Sequence, residues 1–172
     1  MNQSHTTQRG VGIIEVLIAL VLISAGFLAA AQMQMRGMQY SQSAYSHSQA
    51  YFMATEIMDR MRANTEGMMD GAYNNRETSA VLIDPQCGTN PCNAAEIAQQ
   101  DLYDWSANLH DLTDGVTNFQ PVLPSSDAIA ARGVINALGG GFFQIVIEWS
   151  ESDGGGDVMR QLSVNLATEI PQ

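Results

Sequence analysis

The sequence predicts an α+β fold. A long N-terminal α-helix, membrane-spanning in its first half, packs on a small C-terminal antiparallel β-sheet, with a short second helix between them. Three observations carry this. An apolar run begins at Val11, and no proline interrupts the chain until Pro85. A capped amphipathic stretch starts at Asn93, and two alternating stretches near the C-terminus are separated by glycines.

Composition bounds the rest. The chain has 172 residues, 45% of them hydrophobic, which suits one ordinary domain and excludes a disordered chain. Its net charge is -11 and it contains no lysine, so the basic footprint that nucleic acid requires is missing. Charged residues make up only 15%, against roughly 25% in ordinary soluble domains. The apolar excess is concentrated in one block.

That block runs from Val11 to Ala31 and carries a single charge, Glu15. At 1.5 Å per residue it extends about 30 Å, the thickness of a bilayer's hydrocarbon core. A polar leader with Arg9, an apolar run and Ala29-Ala30-Ala31 also suit a secretory signal cut after Ala31. Such a signal has no use for Glu15: a carboxylate near the bilayer centre costs about 2.5–3.5 kcal/mol, and a shallower one less. A carboxylate there implies a cationic partner, and an α-amine freed between Gly10 and Val11 would supply one.

Glycine, four apolar or small residues, then glutamate opening a long apolar helix (Gly10-Val11-Gly12-Ile13-Ile14-Glu15-Val16-Leu17) resembles the class III signal of type IV prepilins. Val11-Gly12 stand where that family usually has Phe-Thr. The resemblance implies that prepilin peptidase cuts between Gly10 and Val11 and methylates the new amine of Val11. Glu15 would attract a neighbouring subunit's amine during assembly. It also implies the domain plan: 1–10 leader, 11–31 transmembrane and filament-core half, 32–64 amphipathic half, 65–172 periplasmic head. The subunit would sit in the inner membrane as a single-pass protein, held in lipid by Val11–Ala31, and then enter the pilus.

Beyond the span, Gly26 and Gly37 weaken a helix locally by about 1 kcal/mol each without ending it. Ala50, Met53/Ala54, Ile57 and Met61 recur at helical spacing, so one stripe packs on a more C-terminal part of the chain. The methionines clustered from Met33 to Met69 read as deformable core or interface, with no copper or haem role. The segment Glu56–Asn64 reads as a charged, solvated helix face. Residues 65–92 read as loop with one short strand at Val81–Ile83.

Cys87 and Cys92 are the only cysteines. Two ligands cannot complete a zinc site, and the spacing is not C-x-x-C, so an exported chain predicts a disulfide between them. Asn93 and Glu96 then form a capping box, and Ala98, Leu102, Trp105, Leu109 and Leu112 make one apolar face. Asp101, Asp104, His110, Asp111 and Asp114 read as an acidic solvated face with no metal site. The order Cys-x4-Cys, then Asp101-x-x-x-Trp105, together with the Glu56–Asn64 helix end, resembles PilV-type minor pilins.

Strands are expected at Val116–Leu123, Val134–Leu138, Phe142–Ser150 and Val158–Ala167. Phe143, Ile145, Ile147, Trp149 and Leu162, Val164, Leu166 should form the buried face of a hairpin turned by glycines 154–156. No nucleophile–base set, P-loop or dinucleotide fingerprint is present, so no catalysis and no cofactor are expected. The resemblance implies a minor pilin that helps prime pilus assembly near the filament tip, with other minor pilins, the major pilin and prepilin peptidase as partners. A minor pseudopilin of a type II secretion system shares the signal. A Sec-exported soluble periplasmic binding protein is the alternative from another class.

Overall fold

The computed structural model describes residues 12–78, 82–112, 118–152 and 155–167. Helix α1 runs from Ile13 to Ala63, followed by α2 (Thr65–Met69), β1 (Arg76–Glu77), α3 (Ala94–Ser106), β2 (Arg132–Gly139), β3 (Phe142–Ser152) and β4 (Asp157–Ala167). The chain divides into two units, 1–42 and 43–172. Among the described residues the first holds the start of α1 and no other element; the second, the head, holds the end of α1 and the remaining elements.

In the head, the stripe read from the sequence is the buried one. Ala50, Met53, Ala54, Ile57, Met58 and Met61 of α1 are all buried, as are Ala98, Leu102 and Trp105 of α3. The antiparallel sheet has the order β1-β2-β3-β4. Ile135, Phe143, Ile145, Ile147, Trp149 and Leu166 of the sheet join the same core. Register explains the set: Phe143 pairs with Leu166, Ile145 with Val164 and Ile147 with Leu162, so these side chains share one face. Leu162 and Val164 are only half-buried because β4 stands at the edge of the sheet: among the described residues nothing pairs with its outer side.

Two local devices fix the arrangement. Gly139, Gly140 and Gly141 have φ of 84°, 62° and 80°, a left-handed run that only glycine sustains, and it turns β2 into β3. Trp105 of α3 lies against Gly133 of β2, and its indole Nε1 donates to the Met53 carbonyl of α1 at 3.1 Å. One side chain thus touches both helices and the sheet.

Four expectations are corrected. Residues 65–92 are not all loop: the Asn64 side chain accepts from Gly67 N at 3.1 Å and caps α2. Leu82 and Ile83 are not strand, and Val81 lies outside the described residues; the short strand is Arg76–Glu77, paired with Ile135 and Val134. Residues 118–123 are not strand either, with 116–117 outside the described residues. There the chain crosses as a strap, Val122 N donating to Asn108 O at 2.9 Å, and Leu123 plugs the core. Asp101, finally, is not solvated: it is 8% exposed.

Candidate functional site

Two features of the chain are candidates for function: the apolar half of α1 and a polar network inside the head. The first is built by composition. Between Glu15 and Arg36 lie 20 residues without a charge. An 18-residue window of α1 has mean hydropathy 2.6, and none of it is buried. From Ile13 to Leu28 every large apolar side chain is exposed, from 49% at Val16 to 83% at Ile13. Covering eleven such side chains would be worth on the order of 15 kcal/mol, so water is not the medium this segment is made for. The helix is long and apolar enough to cross a membrane.

Glu15 stands in the first turn of α1 and is exposed. Its backbone N–H donates to Gly12 O at 3.0 Å, which closes the opening turn. A carboxylate there is favoured by the unpaired N–H groups and positive dipole of the helix start. No cation pairs with it among the described residues. A cationic group brought to this turn would find an accessible carboxylate at the edge of an apolar surface. Gly10 and Val11, the expected cleavage site, lie outside the described residues.

Inside the head, Cys87 and Cys92 form a disulfide. The loop is tied to α3, Cys87 N donating to Gln100 Oε1 at 3.1 Å. The predicted capping box is present in both directions, Glu96 N to Asn93 Oδ1 at 3.0 Å and Asn93 N to Glu96 Oε2 at 2.9 Å.

The polar network was not read from the sequence. Asn64 Nδ2 donates to the Ala94 carbonyl at 2.8 Å and to the Tyr73 hydroxyl at 3.1 Å. Tyr73 in turn donates to Asp101 Oδ2. Arg60 donates to Asp101 Oδ1 at 3.4 Å, to Asp104 Oδ2 at 3.0 Å and to Glu56 Oε1 at 2.9 Å. Burial and the bond to Asp101 push the Tyr73 phenol well above its ordinary value, so it remains a donor. Arg60 is also raised: burial opposes its charge, and the three carboxylates outweigh that. The network joins the end of α1, the α2 turn and α3, and its members satisfy one another, which marks it as structural.

His110 sits 3.3 Å from the Thr78 hydroxyl. His47 packs its ring edge-on against Trp149, with centroids 4.8 Å apart. The Thr78 hydroxyl also accepts from Gly133 N at 3.0 Å, and among the described residues no three His, Cys, Asp or Glu side chains could hold a metal.

Residues 32–103 match the family model described as Tt1218-like, type IV pilin Tt1218, a stretch of 72 of the 172 residues. No curated protein and no solved structure matches the chain. The match begins at Gln32, past the apolar run, and covers the remainder of α1, α2, β1, the disulfide loop and most of α3. It supports a type IV pilin role, and it does so independently of the residues from Gly10 to Ala31.

Proposed function

We propose that this chain is a minor pilin of a type IV pilus, of the PilV type, that helps prime assembly and is incorporated near the filament tip. One observation carries the reading: a wholly exposed apolar helix that opens on an accessible carboxylate, joined to a stretch similar to a type IV pilin. Prepilin peptidase cuts between Gly10 and Val11 and methylates the amine. Val11–Ala31 then anchors the subunit in the inner membrane, with the head in the periplasm. On assembly the same surface moves from lipid to neighbouring helices, apolar to apolar. The direction and register of that move come from Glu15 meeting a neighbour's amine, since the low dielectric strengthens a charge pair that water would weaken. Other minor pilins and the major pilin are the neighbours.

A minor pseudopilin of a type II secretion system would use the same helix. The disulfide loop followed by Asp101-x-x-x-Trp105 favours the pilus. The pilin family is structural rather than catalytic, consistent with a chain that is not an enzyme.

The deciding experiment is mass spectrometry of the mature N-terminus from native membranes. A chain beginning at methylated Val11 supports the reading; one beginning at Gln32 means a Sec-exported protein and overturns it. Glu15→Ala should remain cleaved and membrane-bound while its recovery in sheared pili falls about tenfold, the effect of losing ~1.4 kcal/mol of subunit attraction. Undiminished recovery would remove the carboxylate from the mechanism.

A further inference from the structure

The head does not hold α1 uniformly. Its first buried apolar residue on that helix is Ala50, yet the helix ceases to be fully exposed already at Ser43. The two turns between are held by polar and ring contacts centred on one carboxylate. Glu151 of β3 is 13% exposed. Its Oε1 accepts from Trp149 Nε1 at 2.8 Å, and its Oε2 accepts from Ser43 Oγ at 3.0 Å and Arg160 Nε at 3.3 Å. His47, one turn beyond Ser43, packs against the Trp149 ring that this bond orients.

The same two turns carry a local cost. Ser46 is 1% exposed, and its hydroxyl has no hydrogen-bond partner among the described residues. A buried hydroxyl in that state destabilises the contact it lies in. Residues 43–49 are therefore docked by the Glu151 contacts against an opposing penalty, whereas Ala50 onward is docked by the core.

We propose that Glu151 is a latch that sets where the head's grip on α1 begins: at Ser43 when the latch is closed, at Ala50 when it is open. Opening lengthens the free helix by about 10 Å, seven residues at 1.5 Å each. Among the described residues, the groups that face Glu151 are Ser43 and His47 from α1, Trp149 on its own strand and Arg160 from β4. Burial works against its charge, but the Trp149 and Ser43 bonds and Arg160 outweigh burial and hold it below the usual carboxylate range. The latch is accordingly closed at neutral pH. It opens when the carboxylate is neutralised or when Ser43 is pulled from it. This inference does not rest on the pilin reading, since it concerns contacts within residues 43–172 alone.

The test is hydrogen exchange on the full chain in detergent micelles at pH 7, comparing wild type with Glu151→Gln and Ser43→Ala. Ser43→Ala removes only the helix's hydrogen bond to Glu151 and leaves Trp149 and Arg160 paired and His47 against Trp149, so it keeps the test sound if Glu151→Gln unfolds. In both variants amides of 43–49 should exchange at least fivefold faster, while those of 50–63 and of β2 and β3 stay at wild-type rates. Unchanged rates at 43–49 in Ser43→Ala would overturn the proposal. So would a rise in Ser43→Ala shared equally by 50–63, which would make the cluster a support of the whole head.

Discussion

Gly133→Ala adds one methyl group at the point where both helices and the sheet meet. The new Cβ would lie 2.4 Å from Cη2 and 2.5 Å from Cζ2 of Trp105, where carbon atoms need about 3.5–4.0 Å. The indole must give by more than an ångström. It has little freedom, being 0% exposed and pinned by its Nε1 bond to the Met53 carbonyl. Overpacking of this kind costs about 1–3 kcal/mol, and loss of the Met53 bond adds about 1 kcal/mol or more. Alanine's lower unfolded-state entropy returns about 0.4–1 kcal/mol. The net expectation is a destabilisation of about 2 kcal/mol, or about 8 °C in Tm for a head of this size. Urea unfolding followed by tryptophan fluorescence measures it, since Trp105 and Trp149 are the only two reporters. In a Trp105→Leu background the same glycine change should cost at least 1 kcal/mol less, because the colliding ring is gone. A Gly133→Ala variant as stable as wild type, or an equal cost in both backgrounds, would refute the account of Trp105 as the central contact.

Tyr73→Phe removes the donor to Asp101 and the acceptor of Asn64; the expected loss is about 1.5–3 kcal/mol in urea unfolding, and a loss under 0.5 kcal/mol would mean water replaces the phenol. Cys92→Ser opens a short loop and should cost about 2 kcal/mol, with exchange rising at 83–100 and not in the sheet. Acid should weaken the head in two stages. Burial places His110 below its ordinary 6.5, so the unfolded chain binds more protons, and stability that is full above about pH 6.5 falls as pH drops from there toward the folded-state value. Glu151 is likewise depressed below its ordinary 4.5, so its contribution is full above about pH 4.5 and lost as pH falls through its folded-state value. Unfolding midpoints of His110→Gln at pH 7.5 and 5.5 should lie closer together than those of wild type; an equal drop would exclude His110.

What was legible in the sequence was whatever repeats. Ala50, Met53, Ala54, Ile57 and Met61 mark the buried stripe of α1 because a helix returns to the same face every three or four residues. Phe143, Ile145, Ile147 and Trp149 mark the sheet because a strand alternates. The capping box was legible for a similar reason, since Asn93 and Glu96 act across three residues. Polar partnerships across 28 or 41 residues have no period, and Asn64, Tyr73, Arg60 and Asp101 went unrecognised as a group. Asp101 did carry a signal. It stands three residues after Ala98 and four before Trp105, within the buried stripe, and a carboxylate on an apolar face implies a partner. The strap at 118–123 looked like a strand because its apolar residues are real; only Leu123 is fully buried, and a single plug needs no ladder. Of the proposed assembly site, the place of Glu15 in the first turn of α1 was legible, because its position relative to the apolar run is a matter of counting.

The outer edge of β4 has a colloidal consequence. Eleven residues pair with β3 without a register break, none is proline, and the one cation among them, Arg160, is turned to Glu151. A long, unbroken edge of this kind is a template for another strand. What keeps two heads apart in water is their charge, seventeen carboxylates against five arginines in residues 43–172, and every one of those arginines is engaged within its own chain. That repulsion reaches only about 8 Å at physiological ionic strength and about 3 Å in 1 M salt. Concentrated salt, or acid near the isoelectric point of about 4.3, should therefore turn clear solutions turbid by edge-to-edge stacking before the head unfolds.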